Sequence, residues 1–172
     1  MLHLITGGAR SGKSALAETL AGRHGGPVSC LVTADVRDTE FAARVAAHRA
    51  RRPAGWQVVE TGQGLAEALS QHARPDGVLL VDCLGMWLMR FLDDVSGFDS
   101  EAYAWARAAL LATLVRLPGT VLVVTNEIGW GVVPLGAASR LFVDELGRLN
   151  QAVAALADRA TLVTCGLPLE LK

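Results

Sequence analysis

Lysine is nearly absent from this chain of 172 residues. Of its 16 basic residues, only Lys13 and Lys172 are lysines. A guanine-nucleotide switch that reads its base with an NKxD lysine is therefore disfavoured, because no lysine lies between these two positions. The DxxG pattern from Asp82 to Gly85, which such switches also use, does not outweigh this. The scarcity makes the position of Lys13 informative.

Cysteine is also scarce. Cys30, Cys83 and Cys165 are far apart, and the chain contains no CxxC pattern. An odd number of widely spaced cysteines argues against a disulfide scaffold and against a zinc site. The pattern fits a reducing compartment, so we expect a cytoplasmic protein.

Charge of one sign and long apolar runs are missing as well. The net charge of −1 argues against an extended surface for nucleic acid. The longest apolar stretch after the N-terminal one, residues 77–89, is interrupted by Asp82 and is too short to span a bilayer. The N-terminal stretch has no preceding cationic segment, which argues against a signal peptide. We expect neither a nucleic-acid partner nor a membrane span.

Apolar and charged residues make up 51% and 19% of the chain, which is a globular composition, and the length fits one domain over residues 1–172. Short apolar runs alternate with helical patterns, which predicts an α/β fold with a mostly parallel sheet covered on both faces. The residues after Pro168 allow a last, antiparallel edge strand. The predicted strands after the N-terminal one are 28–33, 56–60, 78–82, 120–125 and 160–165, and the predicted helices are near 13–23, 39–51, 63–73, 84–92, 100–116 and 138–157, with a polar loop over 93–100.

The N-terminal apolar strand runs directly into a glycine-rich turn and a helix. The segment LHLITGGARSGKS, residues 2–14, has the layout of a phosphate-binding loop. Its glycines let backbone N–H groups surround a triphosphate. The motif predicts that Lys13 reaches the β- and γ-phosphates and that Ser14 is a ligand of Mg²⁺. The predicted nucleotide contacts here are Gly7, Gly8, Ala9, Arg10, Ser11, Gly12, Lys13 and Ser14.

A second group of candidates lies in DTEFAARVAAHRARRP, residues 38–53. If this segment is helical, Arg44, His48, Arg51 and Arg52 share one face. Guanidinium groups around His48 would keep its imidazole neutral and thus nucleophilic, and they would hold a triphosphate. The alternative is a solvated basic face with an incidental histidine, and spacing alone does not choose between the two.

Two acidic residues end predicted strands. Asp82 ends the strand in GVLLVDCLGMW, where a carboxylate that helps to hold Mg²⁺ is expected after a phosphate loop. Glu60 ends the preceding strand and is a candidate to bind a ribose hydroxyl or to act as a base. A plain surface charge is an equally good interpretation of Glu60.

The stretch TVLVVTNEIGWGVVP, residues 120–134, combines a strand end with polar residues and two glycines, as active-site loops do. Trp130 in this loop is interpreted either as a cover for an apolar substrate or as a packing or subunit contact. Further on, we expect the polar residues of the last helix, such as Arg148 and Asn150, to face solvent or another subunit.

Together these segments resemble a known family. GGARSGKS, RVAAHRARRPAGW, LLVDCL, VTNEIGWGVVP and GRLNQ are similar, at nearly unbroken spacing from residue 2 onward, to the bifunctional adenosylcobinamide kinase and adenosylcobinamide-phosphate guanylyltransferase family of cobalamin biosynthesis. The phosphate loop is generic, whereas the His/Arg segment and the NEIGWGVVP loop are specific.

The resemblance implies two reactions on one substrate. A nucleoside triphosphate, ATP or GTP, first phosphorylates the aminopropanol hydroxyl of adenosylcobinamide. GTP then transfers GMP to a histidine, which maps onto His48, and the GMP passes to the phosphorylated substrate to give adenosylcobinamide-GDP. A phosphate-loop kinase without the second activity is the alternative.

The resemblance also implies Mg²⁺ as cofactor, a RecA-like phosphate-loop NTPase fold and a homotrimer. Beyond the phosphate loop, it implies nucleotide contacts by Thr33, Ala34, Asp35, Arg49, Ala50, Arg51, Arg52, Glu60 and Asp82. Ser14 and Asp82 are the implied metal ligands, and His48 and Lys13 the implied catalytic residues.

Overall fold

The computed structural model describes residues 1–34, 52–93 and 97–172. Its main feature is a seven-stranded sheet in the order β3-β2-β4-β7-β1-β8-β9. All neighbours pair in parallel except β8 and β9, which are antiparallel. The sheet strands are β1 Leu2–Thr6, β2 Val28–Val32, β3 Gln57–Glu60, β4 Val78–Asp82, β7 Thr120–Val124, β8 Arg159–Thr164 and β9 Leu167–Glu170, and a separate hairpin pairs β5 Leu92–Asp93 with β6 Gly97–Phe98.

Described helices cover both faces of the sheet. They are α1 Lys13–Arg23, α2 Leu65–His72, α3 Leu84–Leu88, α4 Ser100–Leu114 and α5 Ala137–Leu156, with a 3₁₀ turn over Met89–Phe91. Consecutive strand residues alternate between two apolar clusters, as the two-residue period of a strand requires. Leu79 belongs to the cluster that includes α2 to α5, whereas Leu80 packs with Ala17 of α1. The central strands are apolar on both faces because both faces are covered.

The predicted α/β class and the antiparallel C-terminal edge strand are confirmed. The predicted strands agree with the observed ones to within one residue at each end. Within the predicted loop 93–100, residues 97 and 98 pair with 92 and 93 in the short hairpin, and the predicted helix 84–92 ends early in the 3₁₀ turn. The predicted helix 39–51 lies outside the described residues. Among the helices that the structure describes, none is long and apolar enough to cross a membrane.

Candidate nucleotide site

The candidate site lies at one edge of the sheet. Strands β2, β4, β7 and β1 are neighbours and parallel, so their carboxyl ends meet. The segments that follow these four ends contain the glycine loop, Thr33, Asp82 and residues 125–127. Ligands of open parallel sheets bind in this position.

The glycine loop leads from β1 to the first residue of α1, Lys13. Gly7 has no room for a side chain, because a Cβ atom there would collide with the carbonyl oxygen of Val163. Gly12 has a φ of 99°, a conformation that glycine adopts without the steric cost of a Cβ. Gly12 offers α1 no side-chain cap, and the first turn of α1 contains no acidic residue. The positive end of α1 is therefore open to an anion.

Lys13 is folded over this loop. Its Nζ donates to the carbonyl oxygen of Gly8 at 3.1 Å, and only 9% of the residue is exposed. Gly8, Ala9 and Arg10 are exposed on the outside of the turn, whereas Ser11 is buried. The Ser11 Oγ has no hydrogen-bond partner among the described residues. The ammonium thus lies where a phosphate on the loop would meet it.

Two backbone contacts hold the loop from outside. The N–H of Glu127, just after β7, donates to the carbonyl oxygen of Gly7 at 3.1 Å. The N–H of Gly166, in the turn between β8 and β9, donates to the carbonyl oxygen of Ser11 at 2.9 Å. The loop is therefore fixed between the segments that follow its two neighbouring strands.

Asp82 lies between a hydroxyl and a guanidinium. The Ser14 Oγ is 3.5 Å from its Oδ1, and Nη2 of Arg52 donates to its Oδ2 at 2.9 Å. The Nε of Arg52 also lies 3.9 Å from Oε1 of Glu18 on α1. The structure thus brings the two predicted metal ligands together, and it adds Glu18, which the sequence did not single out.

Thr33, at the end of β2, is bonded to the residue after Asp82. Its Oγ1 donates to the carbonyl oxygen of Cys83 at 2.7 Å and accepts the N–H of Cys83 at 2.9 Å. Arg90 donates to the carbonyl oxygens of Thr33 at 3.1 Å and Ala34 at 3.4 Å. Sequence reasoning missed Arg90, although it is the only basic residue from 75 to 106. Such a lone arginine in an apolar stretch is the signal that points to it.

The segment after β7 is held by α5. The Oγ1 of Thr125 donates to Oδ1 of Asn150 at 2.6 Å, and Nδ2 of Asn150 donates to the carbonyl oxygen of Asn126 at 3.0 Å. The Cys83 thiol is 3.7 Å from Oδ1 of Asn126. The sequence placed Asn150 among solvent-facing or interface residues, but it is half-buried and positions the strand end beside the glycine loop.

The other predicted residues lie elsewhere or outside the described part. Glu60 is exposed at the end of β3, which is the outer strand beyond β2. Trp130 is 76% exposed, so a packing role within the chain is wrong, and the substrate and subunit alternatives remain. Asp35, His48, Arg49, Ala50 and Arg51 lie outside the described residues. The proposed contacts of all these residues with nucleotide stay predictions.

Two thiols near the site are poor nucleophiles. Burial raises the pKa of Cys83 to about 11, and the negative charge of Asp82 adds to this effect. Burial likewise raises the pKa of Cys30 to about 12. Neither thiol is a candidate for covalent catalysis near neutral pH, because the thiolate is the reactive form.

The fold and the glycine loop define a phosphate-loop NTPase. The solved structure of an ATPase domain matches 94% of this chain and 68% of its own, with a TM-score of 0.52 at 11% identity, which shows the shared fold alone. The chain belongs to the family described as "Cobinamide kinase / cobinamide phosphate guanyltransferase", whose sequence pattern matches residues 3–171.

Two relatives show how far the similarity extends. The bifunctional adenosylcobalamin biosynthesis protein CobP of Pseudomonas aeruginosa is 49% identical over 174 residues, covering 100% of this chain and 98% of the relative. The bifunctional adenosylcobalamin biosynthesis protein CobU of Escherichia coli is 38% identical over 183 residues, covering 100% of both. The expected family is thus confirmed over the full length.

Proposed function

We propose that this protein carries out two successive reactions on adenosylcobinamide. In the first, the aminopropanol hydroxyl attacks the γ-phosphorus of ATP or GTP, and a nucleoside diphosphate leaves. In the second, GMP passes from GTP to His48 and then to the phosphorylated substrate, which yields adenosylcobinamide-GDP. Membership in a family named for a kinase and a guanyltransferase activity supports this pair.

The glycine loop is the proposed seat of the triphosphate. The open N-terminus of α1 and the ammonium of Lys13 present positive charge at one place. The shielded position of Lys13 strengthens its attraction to phosphate, since less water screens the pair. The nucleotide contacts that we propose extend from this loop to Thr33, Ala34, Asp35, Arg49, Ala50, Arg51, Glu60 and Asp82.

Ser14 and Asp82 would hold Mg²⁺. Mg²⁺ takes oxygen ligands and usually keeps only one or two from the protein, with water and phosphate completing the set. The Ser14 hydroxyl and the Asp82 carboxylate are such oxygens, and 3.5 Å separates them beside the loop. The residues present therefore fit the ion, which would neutralise charge on the triphosphate.

The contact between Arg52 and Asp82 is the observation that carries the role of His48. His48 precedes Arg52 by four residues, so the covalent chain limits the distance between their Cα atoms to about 14 Å. Arg52 itself is bonded to the carboxylate beside the glycine loop at 2.9 Å. The chain after Ala34 also starts at the same edge, where Arg90 binds its carbonyl. Both neighbours of the segment that carries His48 therefore lie at the candidate site.

The covalent step divides guanylyl transfer into two displacements. A neutral imidazole nitrogen of His48 attacks the α-phosphorus of GTP, the bond to the β-phosphate breaks, and pyrophosphate leaves. A phosphate oxygen of the substrate then attacks the same phosphorus, and the N–P bond breaks. Such a sequence predicts ping-pong kinetics for guanylyl transfer.

Separate labelling of GTP at the α- and γ-phosphates tests the proposal. We expect acid-labile label on the protein from α-labelled GTP only, and label on cobinamide from γ-labelled GTP. His48→Ala should abolish protein labelling and keep part of the kinase activity, while the matched control His72→Ala on α2 should keep both. Labelling that persists in His48→Ala would remove this residue from the mechanism. Phosphorylated cobinamide without any protein label would favour the single-activity kinase.

We further propose a cytoplasmic homotrimer. The exposed apolar residues of the loop after β7, with Trp130 at 76%, Val132 at 96% and Leu135 at 99%, support contact with another subunit or with the substrate. The free state of all three cysteines is consistent with a reducing compartment. Light scattering coupled to size exclusion measures the mass, and a monomer at micromolar concentration would contradict the trimer.

A further inference from the structure

Arg52 connects two parts of the nucleotide site. Its guanidinium binds Asp82, which ends β4, and lies near Glu18 on α1, the helix that begins at the glycine loop. Only 6% of the Arg52 side chain is exposed. An ion pair so shielded is little weakened by salt, in contrast to a surface pair. Arg52 is thus a fixed link between the loop helix and the neighbouring strand end.

This link acts on one oxygen of Asp82 and leaves the other toward Ser14. Oδ2 accepts the hydrogen bond from Arg52 at 2.9 Å, and Oδ1 lies 3.5 Å from the Ser14 hydroxyl. The terminal torsion of an aspartate is broad, so a carboxylate without such a bond turns easily. A charge-assisted bond to a buried guanidinium restricts that rotation.

The burial of Arg52 argues against a direct contact with phosphate. An arginine that receives a triphosphate presents its N–H groups toward the ligand site. Here Nη2 is bonded to Asp82, and the buried Nε has no hydrogen-bond partner among the described residues and faces Glu18 at 3.9 Å. The guanidinium therefore points at two carboxylates of the protein.

We propose that Arg52 is a positioning residue that acts through Asp82. It holds the carboxylate so that Oδ1, together with Ser14, is presented to the Mg²⁺ of a bound nucleotide. The proposal rests on the proposed function only in assuming that a magnesium nucleotide binds at the glycine loop. It predicts that Arg52 matters for nucleotide binding only when the metal is present.

Calorimetric binding of a non-hydrolysable GTP analogue, in Mg²⁺ and in EDTA, tests this without turnover. We expect Arg52→Ala to weaken binding about 10-fold in Mg²⁺, as loss of one strong charge-assisted contact does. Binding in EDTA should change by less than about 2-fold, because the loop and Lys13 are intact. Arg52→Lys should recover part of the loss. An equal loss in both buffers would overturn the proposal in favour of direct phosphate contact.

A double-mutant cycle adds a second test. If Arg52 acts through Asp82, the variant with both Arg52→Ala and Asp82→Asn should bind no more weakly in Mg²⁺ than Asp82→Asn alone. Additive losses would overturn the proposal. The control Arg159→Ala removes an exposed ion pair with Glu170, 3.0 Å long, on β8 and β9, and should behave as wild type.

Circular dichroism checks that each variant folds. If Arg52→Ala does not fold, Arg52→Gln and Arg52→Lys take its place, and wild-type Mg²⁺ dependence in both would overturn the proposal. A wild-type protein that binds the analogue in neither buffer would instead contradict the proposed function.

Discussion

The hydroxyl of Ser14 lies 3.5 Å from Oδ1 of Asp82, although 68 positions separate the two residues in the chain. One belongs to the first turn of α1 and the other to the end of β4, and the order of the strands brings them to one edge. The pair defines where the metal and the glycine loop act together.

Ser14→Ala should raise the Mg²⁺ concentration for half-maximal activity about 10-fold, since loss of one ligand costs on the order of 1.4 kcal/mol. Titration of both reactions with Mg²⁺ measures this. Ser70→Ala is the control, because the Ser70 hydroxyl bonds the carbonyl oxygen of Ala66 within α2, away from the loop. An unchanged Mg²⁺ requirement in Ser14→Ala would count against the assigned ligand.

Lys13→Ala should lower kcat/KM about 100- to 1,000-fold in the phosphorylation of cobinamide, as the loss of a preorganised charge at a phosphate does. If one nucleotide site serves both reactions, protein labelling by α-labelled GTP should fall as well. The chain offers a matched control in its only other lysine, because Lys172 bonds carbonyl oxygens at the end of α5. A kinase rate in Lys13→Ala equal to that of Lys172→Ala would refute the role of the loop.

Trp130→Ala should leave the free energy of unfolding nearly unchanged, because 76% of this residue is exposed. It should instead raise the KM for cobinamide or reduce the trimer mass, the two roles left for Trp130. Trp87→Ala is the contrasting variant, since Trp87 is fully buried against Phe91 and Tyr103 and its loss should cost about 3–5 kcal/mol. Chemical denaturation, steady-state kinetics and light scattering separate these effects. If Trp130→Ala changes neither KM nor mass, both interpretations fail.

One thiol of the native protein should react with Ellman's reagent at pH 8. Cys165 is exposed, whereas burial raises the pKa of Cys83 to about 11 and that of Cys30 to about 12. Thiolate at the two buried positions is therefore scarce at pH 8. In denaturant all three thiols should react, and Cys165→Ser should abolish the rapid native reaction. A second rapidly reacting native thiol would contradict this assignment.

Thermal stability should fall as the pH drops below about 6.5, the ordinary pKa of histidine. Burial, with a smaller effect of Arg159, lowers the pKa of His3 in the folded protein. In acid the unfolded chain then takes up a proton that the folded chain resists, so protonation favours unfolding. The Thr161 hydroxyl donates to Glu170, so Nε2 of His3, 2.7 Å from Thr161 Oγ1, is the donor of their bond and the ring is neutral. Differential scanning calorimetry should show a smaller loss of Tm between pH 7 and 5.5 in His3→Asn. An identical loss would assign the effect to other groups.

The sequence predicts the fold well because both faces of the sheet are covered. Strands such as Val78–Asp82 are then continuous apolar runs, and glycine-rich or polar segments mark their ends. The hairpin of Leu92–Asp93 and Gly97–Phe98 escaped prediction, since two residues per strand give no periodic pattern. The early end of the helix after β4 is missed because Met89–Phe91 continues the same apolar composition in a tighter turn.

The site is predicted only where a motif fixes a local geometry. Lys13 and Ser14 follow from the loop pattern, and Asp82 follows from its strand end. Long-range partners do not follow, because the contacts of Arg90 with Thr33 and of Asn150 with Thr125 depend on which strands are neighbours. Arg52 illustrates the limit, since the spacing that groups it with other basic residues does not reveal its bond to Asp82.

The contact of Gly166 with Ser11 joins the last hairpin of the chain to its first loop. A protein engineer who wished to tune nucleotide affinity would thus have a handle that is remote in sequence from the N-terminal glycines. The exposed turn at Cys165 and Gly166, where both residues have positive φ, is a place where stiffer or looser substitutions would be transmitted through one amide to the phosphate cradle.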